Sequence, residues 1–121
     1  MTTQEVADRY MELEKQGKWI EIQSELYSDD IVSLEPAHAK SMGMEPEVRG
    51  IAAVKEKGRK FNESIAEMHG GFCSEPVVGG DYFSVAMGMD VTMKVGGRMK
   101  MDEIAVFHVK DGKIISEQFF F

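Results

Sequence analysis

RYMELEKQGKWIEIQSELYSDDIVSLEP, from Arg9 to Pro36, and RMKMDEIAVFHVKDGKIISEQFFF, from Arg98 to Phe121, decide the fold between them. Val6, Tyr10, Met11 and Leu13 recur at helical spacing, Thr2 or Thr3 can cap the helix, and Glu5 sits in the first turn. A helix is therefore predicted over 3–16, ended by Gly17. A second follows over 18–27, with Trp19, Ile20, Ile22, Leu26 and Tyr27 apolar. Ser28-Asp29-Asp30 reads as a break, after which Ile31, Val32 and Leu34 make a short strand over 31–35 that stops at Pro36. The far stretch closes the chain on a hairpin turned at Asp111-Gly112, a dipeptide that suits a two-residue turn.

Between these ends, residues 37–50 carry two glycines, Pro46 and mixed charge, and read as a loop over a pocket mouth. A third helix is predicted over 51–63, with Ile51, Val54 and Phe61 inward and its lysines outward. Four strands then follow over 66–78, 82–94, 98–109 and 113–121. Gly79-Gly80-Asp81 and Gly96-Gly97 supply the other turns, and Gly70-Gly71 suggests a bulge in the first long strand. Long strands joined by tight turns favour an antiparallel meander.

The 121 residues suit one domain, 1–121, and an apolar fraction of 43% allows a real core. A net charge of -7 repels phosphate backbones and anionic lipid, so no nucleic acid and no membrane are expected as partners. No run approaches the length of a membrane span, and MTTQEVADRY carries no secretory pattern. With Cys73 alone, no internal disulfide can form, and a cytoplasmic location is expected. His38, His69 and His108 share no ligand spacing, so neither a metal nor a cofactor is expected. Ten methionines are either core filler or an adaptable pocket lining.

On the strand over 98–109, Met99, Met101, Glu103, Ala105, Phe107 and Val109 share one face. This is the more apolar set and is assigned to the concave side. Glu103 would then lie among methionines near Phe107, where desolvation raises a carboxyl toward the range of a working acid or base. The plainer alternative is a solvated glutamate near the sheet edge. On the strand over 82–94, hydrophobicity turns Phe83, Val85, Met87, Met89, Val91 and Met93 to the core. Phe119-Phe120-Phe121 puts aromatics on both faces of the last strand, and Glu117 shares a side with Phe119.

The order of these elements resembles the nuclear transport factor 2-like superfamily, in its SnoaL-like and ketosteroid-isomerase-like branch. The resemblance implies an α+β fold in which a curved antiparallel sheet is wrapped by three N-terminal helices into a cone, the cystatin-like fold. It implies an apolar pocket for a small hydrophobic molecule. In ketosteroid isomerases an acidic base works with a tyrosine and a protonated carboxylic acid. By that likeness the base falls on Glu35 and the tyrosine on Tyr10, while the partner acid falls on Ala105, so one of three groups is missing unless Glu103 or Asp90 substitutes. Trp19, His38, Phe61, Met101, Phe107, Glu117 and Phe119 are expected to line the ligand. Tyr10 and Trp19 also read simply as packing residues, and Glu35 as a strand-end charge.

The likeness conflicts with hydrophobicity on one strand, since it places Ala86, Gly88 and Asp90 in the cavity. Both hold if the apolar set is buried against a second subunit, which predicts a homodimer through the convex sheet face. Two functions remain open: a general-base isomerase, cyclase or dehydratase, or a non-catalytic module for hydrophobic ligands or dimerisation.

Overall fold

Thr2 starts the first helix with a reciprocal cap. Its hydroxyl accepts from the Glu5 amide at 3.1 Å, and its own amide donates to the Glu5 carboxylate at 2.9 Å. The computed structural model describes residues 1–121. Helix α1 spans Thr3–Lys15 and buries Val6, Tyr10, Met11 and Leu13, the stripe read from the sequence, together with Ala7. Gly17 takes the left-handed conformation that ends it, at φ 68°. Helix α2, Trp19–Leu26, buries Ile22 and Leu26.

Strand β1 begins at once, at Tyr27, and runs to Leu34. The expected break at Ser28-Asp29-Asp30 is instead an irregularity inside the strand: its partner advances only from Ile114 to Ser116 while β1 advances from Tyr27 to Val32. Asp29 and Asp30 are exposed in this irregularity while Ile31 is buried, so the turn chemistry bends the strand without ending it.

The segment expected as loop holds a 3-10 helix, Ala37–Met42, and a short strand β2, Glu47–Arg49, antiparallel to β1. Helix α3 is Ile51–Glu63. The first long strand is two pieces, β3 (Ile65–Cys73) and β4 (Val77–Gly79). They divide before Pro76, which has no amide hydrogen for the ladder. Strands β5 (Tyr82–Met93), β6 (Gly97–Lys110) and β7 (Lys113–Phe120) complete the sheet. Asp111 at φ 52° and Gly112 at φ 75° turn the last hairpin.

The strand order is β2-β1-β7-β6-β5-β3, with β4 also on β5. Every pairing is antiparallel except β1 with β7, which is parallel. That pairing lets the chain's early and last strands meet in the middle of the sheet. Phe83, Val85, Ala105, Phe107, Val109 and Ile114 face the helices and close a core with α1, α2 and Val54 of α3.

The β5 register follows hydrophobicity and not the likeness. Residues directly opposite across a ladder share a face, and Phe83 pairs with Phe107 and Val85 with Ala105. Ala86, Gly88 and Asp90 therefore lie on the outer face. Asp90 is not in the interior: its carboxylate accepts two hydrogen bonds from the Arg98 guanidinium, each at 3.0 Å. The large apolar set of β5 thus serves this chain's own core.

Candidate functional site

The inner end of the molecule is aromatic and closed. The Tyr10 ring lies 5.6 Å from Phe83 and 4.9 Å from Phe107, and those two stack at 4.8 Å. Ala105 and Phe107 are core residues here, fully buried. Tyr10 is itself 4% exposed. Its hydroxyl donates to no protein group, yet it is not a sealed, unsatisfied atom.

Beyond this aromatic floor the inner face turns polar. The parallel pairing sets Ser33 of β1 beside Glu117 of β7, and Glu117 lies opposite Phe107 of β6. Tyr27 donates its hydroxyl hydrogen to one Glu117 oxygen, and Ser33 donates to the other at 2.7 Å. Lys57 of α3 donates to the Ser33 hydroxyl at 2.7 Å and contacts Glu35 at 2.8 Å. Its ammonium also stands 5.5 Å from the centre of the Phe119 ring. A continuous chain of contacts thus runs Glu35, Lys57, Ser33, Glu117, Tyr27.

Glu103 faces the same interior from β6. Met87 lies opposite it on β5, and Cys73 lies opposite Met87 on β3. Burial pushes its carboxyl up to about 7; the nearby Glu35 and Glu117 carboxylates add to this, and Lys57 opposes it. No hydrogen-bond donor holds it down. Glu117 is also raised, chiefly by burial, with the Tyr27 and Ser33 hydrogen bonds and Lys57 working the other way. Burial raises Tyr10 well above the usual phenol range, and the charges of Glu14, Cys73, Glu117 and Glu103 add to this. Tyr10 is therefore a neutral hydrogen-bond donor at any ordinary pH.

Glu35 is inside, its side chain 8% exposed, but it is committed to Lys57. Phe119, Met101 and Phe61 are half-buried on the inner side. His38 is at the rim, exposed, with its ring edge-on to Phe121 at 5.2 Å. Trp19 does not line this interior: it packs against α3 at Gly58, where an added Cβ would stand 3.4 Å from the indole. Asp90 is on the opposite face, as described.

Sequence reasoning missed Lys57, Ser33 and Tyr27. It turned the α3 lysines outward as a solvated face, yet Lys57 stands three residues after the buried Val54 and four before Phe61, which is inward spacing. Two recesses open elsewhere on the molecule. One of about 850 Å³ runs along the amino terminus and the Asp111-Gly112 turn, and one of about 270 Å³ lies between α1 and β3, lined by Met11, Glu14, Cys73 and Met89 among others. Neither has Glu35, Glu103 or Glu117 in its wall. Cys73 in the wall of the smaller one lies two strands from Glu103 along one row of the sheet, with Met87 between them.

A family model described as SnoaL-like domain matches residues 1–121. The chain is 36% identical to a candidate SnoaL-like polyketide cyclase from Mesorhizobium loti; each chain is covered in full, with a TM-score of 0.91. TerC, solved with polyporic acid, is 19% identical with a TM-score of 0.76 over 98% of this chain and 90% of its own. A candidate isomerase from Bacillus subtilis is 16% identical with a TM-score of 0.76 over 98% of this chain and 88% of its own. The last two likenesses show a shared fold. No curated protein matches.

Proposed function

The chain belongs to the SnoaL-like domain family, and from that premise we propose that it moves a proton on a small apolar carbonyl compound by general acid–base catalysis. Glu103 takes and returns the proton, and Tyr10 donates a hydrogen bond to the oxygen on which charge develops. Isomerisation, cyclisation and dehydration next to a carbonyl all need these two roles. The observation that carries the reading is a carboxyl at about 7, unpaired, on the inner face with an unpartnered tyrosine hydroxyl. A base that titrates near the working pH is worth roughly 10²–10⁴-fold in rate. This reading gives the base to Glu103 and leaves Glu35 to position Lys57. It needs no partner acid at Ala105, because Tyr10 alone supplies the donor.

The test is solvent deuterium incorporation into the α-carbon of apolar cyclic ketones such as 2-tetralone, followed by NMR. The expected rate rises with pH through about 7 and is lost in Glu103→Gln. A binding-only protein would show the same Glu103 titration with no exchange above buffer, and that result would reject the catalytic reading.

A two-fold dimer through the outer sheet face belongs to the same proposal. Ile104 (45% exposed) lies opposite Phe120 (49%) and Ala86, and Phe72 (57%) stands nearby over Gly88. An apolar patch of that kind is stabilised by a self-complementary contact.

A further inference from the structure

We infer that this interior selects its ligand by charge, taking an apolar molecule that carries an ammonium group and turning away carboxylates and phosphates. The inference rests on the site proposed above but not on its chemistry. Three carboxyls, Glu35, Glu103 and Glu117, face the interior, and Glu14 of α1 borders the smaller recess. One ammonium, Lys57, answers them. It is already committed, at 2.8 Å to Glu35 and 2.7 Å to Ser33. At the rim of the recess Lys15 is likewise paired, with Glu75 at 3.1 Å.

A buried carboxyl without a donor is costly, so native interiors pair them. Glu117 has Tyr27 and Ser33, and Glu35 has Lys57. Glu103 has none. Tyr10, 4% exposed on the same side of the sheet as Phe83 and Phe107, carries a hydroxyl with no protein partner, whose oxygen can accept an N–H. An entering ammonium would give Glu103 the partner it lacks, whereas an anion would meet three carboxyls and no free cation. The surrounding surface suits the rest of such a ligand. Phe119, Met87, Met89 and Met101 present polarizable faces, which favour a cation's alkyl shell.

Glu103 is faced by Glu35 beyond β1, Lys57 of α3 and Glu117 of β7; Tyr10 and Glu14 of α1, Tyr27 of β1 and Cys73 of β3 complete the titratable surroundings. Glu103 is the carboxyl that no donor engages, so cation binding should displace its proton.

The probe is benzylamine, protonated at both pH values and carrying the N–H donors the site would engage, compared with benzoate and benzyl alcohol by calorimetry at pH 6 and pH 8. For a carboxyl at about 7 the ionised fraction rises about tenfold over that range, so the cation's affinity should rise about tenfold. Benzoate should not bind. In the unmodified protein, adding the cation should move the Glu103 carboxyl titration, read by ¹³C NMR, to lower pH. Glu103→Gln should weaken the cation and flatten its pH dependence. Affinity that is flat between pH 6 and pH 8, a Glu103 titration that ignores the cation, or benzoate binding as tightly as the cation would each overturn the inference. A protein that binds the cation but exchanges no ketone proton keeps this inference and loses the catalytic reading. Exchange without any charge preference does the reverse.

Discussion

Replacing Lys57 by methionine should reveal how much the interior depends on one ammonium. Met keeps most of the apolar stem and removes the charge. Glu35, with a side chain only 8% exposed, then loses its partner at 2.8 Å, and Ser33 loses a donor at 2.7 Å. Removing one member of a fully buried ion pair costs about 3–5 kcal/mol. Lys57 is itself 20% exposed, so water can reach part of the gap, and about 2–3 kcal/mol is the expected loss. At about 2.1 cal/mol/K per residue, a chain of 121 residues has an unfolding entropy near 0.25 kcal/mol/K, so Tm should fall by roughly 8–12 °C. Differential scanning calorimetry at pH 7 reads this directly. Adding Glu35→Gln to Lys57→Met should recover most of the loss, because the stranded charge is gone. The same replacement removes the one cation that holds Glu103 down, so the Glu103 titration should move above about 7. An unchanged Tm, or a double variant no more stable than the single one, would refute the account of Lys57 as the interior's counter-charge.

Glu103 itself couples stability to pH. Its folded carboxyl titrates at about 7 against an ordinary 4.5, so the folded state favours the protonated form; that contribution is complete below about 4.5 and is lost as pH rises through about 7. Glu103→Gln should therefore remove part of the decline in urea midpoint between those two values, and an unaltered slope would contradict the burial described for Glu103. Gly88→Ala would bring a Cβ to 2.3 Å from Asp102 and 2.5 Å from Phe72, so it should cost about 1–3 kcal/mol by denaturant titration, while Gly70→Ala meets nothing within 4 Å and should cost less. Phe83→Ala empties a fully buried ring from the aromatic floor and should cost about 3–5 kcal/mol. Ile104→Lys, at the centre of the outer apolar patch, should leave the fold intact and give a monomer by sedimentation where the unmodified chain sediments as a dimer; a monomer in both cases would reject the dimer.

Much of the fold was legible because local chemistry and global position agree. The α1 stripe, the Thr2 cap and the Asp111-Gly112 turn each state a backbone preference that the structure keeps. Glu103 was legible for the same reason: alternation along β6 puts it on the side of Met101, Ala105 and Phe107. The β5 strand shows the rule from the other side. Hydrophobicity and family likeness pointed opposite ways, and burial of Phe83, Val85 and Val91 decided for hydrophobicity.

What the sequence determined by itself, then, is which residues are apolar, where the chain turns, and which side of each long strand seeks the core. It could not show that Tyr27 and Ser33 would reach Glu117, because those partners lie 90 and 84 residues apart and meet only through the one parallel pairing in the sheet. It could not turn Lys57 inward, because a lysine's local preference is for water, and only the carboxylates brought by β1 and β7 outweigh that preference. Nor could it set the Glu103 carboxyl at about 7, since that value is made by burial and by charges from three separate elements. Periodicity is a property of neighbours along the chain, while the electrostatics of the interior belongs to groups that only the folded sheet brings together.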